Sequence, residues 1–141
     1  LSVPHKLSTT GMWKGESAAG FRNFKNPKYL LNMSKPSRCF FTVTRQTNKP
    51  NSELDGFAIF VVKTSLTLEK TENGWCPDDS IISKSTFIKS SQVTLDCNLD
   101  AGFFTLFPCR RTEGIEGEGV FTITVECEET ADARLEQYHP F

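Results

Sequence analysis

Apolar and polar side chains alternate with a period of two along much of the chain, the spacing of a strand with one buried face. Residues 120–127 set Phe121, Ile123, Val125 and Cys127 on one side and Thr122, Thr124 and Glu126 on the other. Residues 93–97 alternate in the same way, and residues 39–45 are rich in the β-branched and aromatic side chains that suit strands. Two runs, 56–63 and 102–109, are more continuously apolar and fit central strands. Weaker strand signals lie at 11–15, 29–33, 66–68 and 86–89. Turn-forming clusters separate these runs: Asn26-Pro27, the Pro36 and Pro50 segments, Asn73-Gly74, Pro77-Asp78-Asp79 and the Gly- and Glu-rich 113–119.

Many short strands with close turn signals and no long helical period predict an all-β, antiparallel β-sandwich in a single domain, residues 1–141. The one helix-compatible stretch is 131–138, with Thr130 available as N-cap; a frayed tail fits it equally. Twelve Phe in 141 residues are enough for a real core. The longest apolar run, 56–62, falls far short of the roughly 20 residues that span a bilayer as a helix. No basic-then-apolar leader opens the sequence, so no secretory signal is expected, and Leu at position 1 suggests a fragment of a longer protein.

Five cysteines without a CxxC pair (Cys39, Cys76, Cys97, Cys109, Cys127) read as reduced thiols of an intracellular protein. Asn32-Met33-Ser34 matches a glycosylation sequon, which is discounted without a secretory signal. The net charge of −1 conceals an asymmetry. Residues 1–50 hold nine basic side chains against Glu16 alone, whereas the other 91 hold seven basic against sixteen acidic. A basic face for phospholipid or an acidic partner would produce this split. So would a sandwich that interleaves the two halves and sets their charges face to face. Nucleic acid is disfavoured by a pI near 6.2 and the lack of any zinc-finger, helix-turn-helix or RNP pattern.

Candidate chemistry is sparse. A cysteine protease needs Cys, His and an orienting Asn or Asp, but His5 and His139 lie near the two ends, where order is least assured. No catalytic residues are therefore assigned, and the chain by itself is not read as an enzyme. Zinc would want paired Cys or His at short spacing. Calcium would draw on Asp78, Asp79 and the carboxylates around Glu116, which also read simply as solvated loop charge. Gly114-x-x-Gly117-x-Gly119 leads into a strand rather than a helix, so it reads as a hairpin turn and not a phosphate loop.

Trp13-x-Gly15-x-Ser17-Ala18-Ala19-Gly20, followed by Asn26-Pro27-Lys28-Tyr29-Leu30-Leu31, resembles the opening of calpain domain III. The family pattern is W-x-x-G-x-S-A-G-G, then N-P-Q-[YF]-x-L. Here the first spacing is one residue shorter, Ala19 replaces a Gly, and Lys28 replaces the Gln. Asp55-Gly56-Phe57-Ala58-Ile59-Phe60-Val61-Val62 is similar to the family's I-G-F-x-[IV]-[YF] strand. Residues 99–108, ending Gly102-Phe103-Phe104-Thr105-Leu106-Phe107-Pro108, are similar to L-x-x-G-x-Y-x-I-x-P. Glu118-Gly119-Val120-Phe121-Thr122-Ile123-Thr124-Val125 resembles E-G-x-F-x-L-x-V. The resemblance implies an eight-stranded C2-like sandwich. It makes Trp13, Gly15, Ser17, Gly20, Asn26, Pro27, Tyr29, Gly56, Gly102, Pro108 and Gly119 structural motif positions.

One departure bears on function. Conventional members carry a dense acidic stretch after the N-P-Q-Y strand, whereas residues 32–38 here include Lys35 and Arg38 and no carboxylate. Calcium binding is therefore not carried over, and no cofactor is expected. The basic loop looks more like that of the atypical, PalB-like calpains, which carry two such domains in tandem at the C-terminus; this one would be the distal. The resemblance implies a regulatory or scaffold domain of a cytoplasmic cysteine endopeptidase (a thiol protease and hydrolase), packed on the protease core or a sister domain. It further implies MIT domains in the parent that engage ESCRT-III proteins on endosomal or midbody membranes, with a nuclear pool also compatible. Lys14, Arg22, Lys25, Lys28, Lys35 and Arg38 are the candidates for docking protein or anionic phospholipid. The alternative is a calcium-dependent phospholipid-binding C2 module using Asp78, Asp79 and Glu116.

Overall fold

The structure, a computed structural model, describes residues 4–13, 28–46, 56–63, 81–110, 119–128 and 132–137. Among them are nine strands: β1 (Pro4–Trp13), β2 (Tyr29–Met33), β3 (Ser37–Arg45), β4 (Phe57–Lys63), β5 (Ile81–Lys84), β6 (Gln92–Leu99), β7 (Gly102–Arg110), β8 (Gly119–Glu128) and β9 (Arg134–Gln137). They form two antiparallel sheets, ordered β1-β8-β3-β6 and β5-β4-β7-β2-β9. The all-β sandwich expected from the alternation is the fold observed.

The main core lies between the sheets. From the first sheet come Cys39, Phe41 and Val43 of β3 and Phe121, Ile123 and Val125 of β8, all fully buried. Tyr29, Leu31, Phe57, Ile59, Val61 and Leu106 meet them from the second. The uninterrupted apolar runs in β4 and β7 have a separate cause. Their other face carries a second cluster of Ala58, Phe60, Val62, Phe107 and Cys109, packed by Ile81 and Phe87. Phe60 stacks on Phe107 with ring centroids 5.1 Å apart, and Phe87 meets Phe60 edge-on. Strands covered on both faces leave no position for a polar residue to reach water.

Several expectations need correction. Residues 134–137 form a strand on the free edge of β2, with Leu31 opposite Leu135, and not a helix or a frayed tail. Pairing there satisfies backbone groups that β2 would otherwise expose at the sheet edge, and it seats Ala133 at 3 % exposure. Tertiary contact has overridden a weak local preference. β1 is longer than residues 11–15 suggested: it pairs with β8 from Pro4–Glu128 to Trp13–Gly119, which orders His5 opposite Cys127. The strand at 86–89 is reduced to one bridge, Phe57–Ile88, and β5 forms just before it instead. Ser85 supports the pairing of β4 with β5, accepting the Ile59 N–H on Oγ and donating its own N–H to the Ile59 carbonyl, both at 3.0 Å. The expected strand at 66–68 lies outside the described residues.

Candidate functional site

Of the motif residues within the described segments, Trp13, Tyr29, Gly56, Pro108 and Gly119 lie toward one end of the sandwich, whereas Gly102 lies at the other end of β7, opposite Met33. Trp13 ends β1 at 1 % exposure, and its indole Nε1 donates to the Pro108 carbonyl of β7 at 3.1 Å. That hydrogen bond joins the two sheets across 95 positions of sequence. The indole packs on Phe121 at 4.6 Å and edge-on to Phe57 at 6.4 Å. Tyr29 meets the same Phe121 edge-on at 6.1 Å, and burial raises its phenol pKa. Two guanidinium groups flank this aromatic brace. Arg45 lies 4.2 Å over Phe57 and donates Nε to the Ser90 carbonyl at 2.9 Å, while Arg110 lies 5.8 Å over Trp13.

Two glycines are needed for different reasons. A Cβ on Gly11 would overlap the Tyr29 hydroxyl and come 2.9 Å from Phe121 Cζ, so the backbone of β1 must be bare at that point. Gly102 opens β7 at φ +138°, a conformation that side chains oppose, although open space surrounds it. Gly119 is less constrained, since an added Cβ would find only ordinary contacts with Arg110 and Trp13. Gly56 is buried just ahead of β4. Gly15, Ser17, Gly20, Asn26 and Pro27 lie outside the described residues.

The docking candidates divide. Lys14, Arg22 and Lys25 lie outside the described residues, as do Asp78, Asp79 and Glu116. Lys28 is half-buried just before β2, while Lys35 and Arg38 sit beyond its other end, about 17 Å away along an extended strand. Lys35 is exposed in the β2–β3 turn. Arg38 is engaged: its Nε donates to Asp96 Oδ1 at 2.9 Å and its Nη2 to Oδ2. The hydrogen bond from Arg38, and then its charge, lowers the Asp96 pKa. Lys6 likewise sits opposite Glu126 in the β1–β8 register. Sheet order alone explains both pairs, because β1 and β3 come from the basic half of the chain and β8 and β6 from the acidic half. Interleaving thus sets charges from the two halves against each other on this face.

A lowered carboxylate pKa stabilises the fold above the unfolded value and ceases to do so as pH falls through the folded one. Arg38→Ala should therefore return the Asp96 titration upward toward 3.8, read by NMR of its carboxyl carbon. An unmoved midpoint would mean that the ion pair does not hold in solution. Both partners are open to water, so global stability should change little.

Sequence reasoning missed the outer face of the first sheet. Registers align Ser8–Thr124–Thr42–Thr94 in one row and Thr10–Thr122–Thr44–Gln92 in the next. The Thr10 and Thr122 hydroxyls are 3.4 Å apart, and Gln92 Nε2 donates to Thr44 Oγ1 at 3.3 Å. Phe40 and Met12 flank the rows and are 40 % and 50 % exposed. The signal was the repeated Thr at outward positions of β3 and β8, which alternation alone marks only as solvent-facing. At the β6–β7 turn, a shallow cavity of about 340 Å³ is lined by Lys63, Ile82, Asn98, Asp100 and the exposed Phe103. No group of three or more His, Cys, Asp or Glu able to hold a metal occurs among the described residues.

Two antiparallel sheets packed face to face, with motif residues bracing the interior, make this an all-β sandwich domain by class. The family described as calpain large subunit, domain III matches residues 9–125, and the chain belongs to that family. Domain III is a non-catalytic domain of calpain proteases. No curated protein matches the chain. Among solved structures, the pre-peptidase C-terminal domain of a collagenase from Bacillus anthracis superposes with a TM-score of 0.51 at 9 % identity, over 85 % of this chain and 88 % of that one. It shares the fold. A mitogen from Yersinia pseudotuberculosis gives a TM-score of 0.43 at 8 % identity, over 89 % of this chain and 86 % of that one.

Proposed function

We propose that this domain is a scaffold and regulatory module of a calpain-type cysteine endopeptidase, held against the protease core or a sister C2-like domain. The observation that carries the reading is where the motif side chains go. Trp13, Tyr29 and Pro108 are spent on bracing one sheet against the other, which leaves a stiff block whose useful parts are its surfaces. The hydroxyl rows, with exposed Phe40 and Met12 beside them, suit a broad protein contact. The parent is proposed to be of the PalB-like group that includes calpain-7, with this as its distal C-terminal domain. That parent would be cytoplasmic, with a nuclear pool, and reach endosomal or midbody membranes through MIT domains on ESCRT-III proteins.

Deleting residues 1–141 from the parent protein should lower both its peptide hydrolysis and its thermal midpoint. Phe40→Asp in the parent should do the same while leaving the isolated chain folded. If both quantities stay at wild-type values, the scaffold reading fails. A separate arm tests the basic docking residues. The chain should sediment with phosphatidylserine-containing vesicles more than with phosphatidylcholine alone, less so at high salt, and more weakly with Lys35→Glu. Equal sedimentation would leave only the protein contact. Heat or a thermal shift on adding calcium would favour the calcium-dependent module instead.

A further inference from the structure

Three thiols line up across the first sheet, a feature that the scaffold reading does not use. Cys39 of β3 is the direct Cα partner of Cys97 on β6. Cys127 of β8 lies on the other flank of Cys39, close enough for each neighbour to act on its ionisation. Burial first, and then Cys127 and Cys97, push the Cys39 pKa up to about 12. All three are free thiols.

We infer that Cys39 and Cys97 are a site of oxidative modification, closing a cross-strand disulfide when a peroxide reaches Cys97. The backbone pattern fixes the geometry. Arg45 N–H donates to the Ser91 carbonyl at 2.8 Å, in the register that continues the β3–β6 pairing, which makes that pair hydrogen-bonded. Hydrogen-bonded pairs recur every second residue, so Cys39 and Cys97, six positions along, form another. Their Cα atoms are then about 5.5 Å apart, within the usual Cα span of a disulfide, while their Cβ atoms, at the wide end of about 4.5–5.5 Å for facing residues, must close by about 1 Å to form one.

Access and freedom to adjust select this pair over Cys39 and Cys127. Cys97 is half-buried, whereas Cys127 is 5 % exposed. β6 is an edge strand with one neighbour in its sheet, so it can shift to meet disulfide geometry. β8 is held between β1 and β3, and its ladder to β3 stops at Phe40–Glu126, one step short of Cys39. There the Ser37 hydroxyl, not the β3 backbone, accepts the Glu128 N–H at 3.0 Å.

In the first step the Cys97 sulfur breaks the O–O bond of hydrogen peroxide and takes one hydroxyl as a sulfenic acid; the other leaves as water with the Cys97 proton. In the second the Cys39 sulfur attacks the Cys97 sulfur, the S–O bond breaks, and the second water departs with the Cys39 proton. Two thiols thus supply the two electrons that reduce one peroxide to two waters. The product would tie the edge strand β6 to β3 covalently and enclose β4 and β5 in the closed loop.

The test treats the 141-residue chain with hydrogen peroxide, blocks remaining thiols, and maps disulfides by mass spectrometry without reduction. A linked peptide pair containing Cys39 and Cys97 is expected, with a mass loss of about 2 Da and a melting temperature higher by roughly 5–10 °C. Cys97→Ala, a change at a half-buried position, should abolish the link and the shift. Cys127→Ala should leave both in place. Linkage of Cys39 to Cys127 or to Cys76, dimers joined through Cys97, or oxidation of Cys97 with no link would each overturn the assignment.

Discussion

Gly11→Ala is expected to destabilise the domain by about 3 kcal/mol, the upper part of the usual range for overpacking a core. The methyl group would occupy space already taken by the Tyr29 hydroxyl and press on Phe121 Cζ. Neither neighbour can yield easily. Tyr29 is 1 % exposed and set edge-on against Phe121, and Phe121 in turn packs on Trp13. β1 cannot retreat either, because ten consecutive residues pair with β8. Urea denaturation of the variant measures the loss, and a value within 0.5 kcal/mol of wild type would contradict the geometry. Tyr29→Phe gives a sharper check. It deletes the atom that the new Cβ meets, so in the Gly11→Ala background it should restore roughly half the loss, a coupling expected between touching residues.

Trp13→Ala should cost about 4 kcal/mol, as for removal of other large buried aromatics. The indole is almost fully buried and serves as the shared wall between Phe57 of one sheet and Phe121 of the other. Trp13→Phe separates packing from hydrogen bonding. It keeps an aromatic ring but leaves the Pro108 carbonyl without the Nε1 donor, so it should cost about 2 kcal/mol. If Trp13→Phe proves neutral, the bond between the sheets contributes nothing and shape alone maintains the brace. Because Gly11 and Trp13 share Phe121, losses from the two positions should not add.

The strands that the sequence revealed best are those with one clear environment. In β8, Phe121, Ile123 and Val125 face the core while Thr122 and Thr124 do not, and period two is visible because only one face is dry. β9 was illegible for the opposite reason. Arg134–Gln137 has no pattern of its own and becomes extended only because β2 offers an open edge. β1 was half legible: Leu7, Thr9, Gly11 and Trp13 share its inner side, but a Thr and a Gly there conceal the periodicity. The basic patch was legible as charge and not as a surface. Strand order decides what each cation faces, and it put Asp96 beside Arg38 and Glu126 opposite Lys6.

By itself, the sequence determined the fold class and the family, since short-range alternation and the spacing of Trp, Gly and Pro motifs are properties of neighbouring residues. Only the tertiary structure decided that Trp13 bonds Pro108, that Thr side chains assemble into rows, and that Cys39 meets Cys97. Each of those contacts joins segments far apart in the chain. Which distant segments become neighbours depends on how two twisted sheets share one core, and no local pattern carries that information.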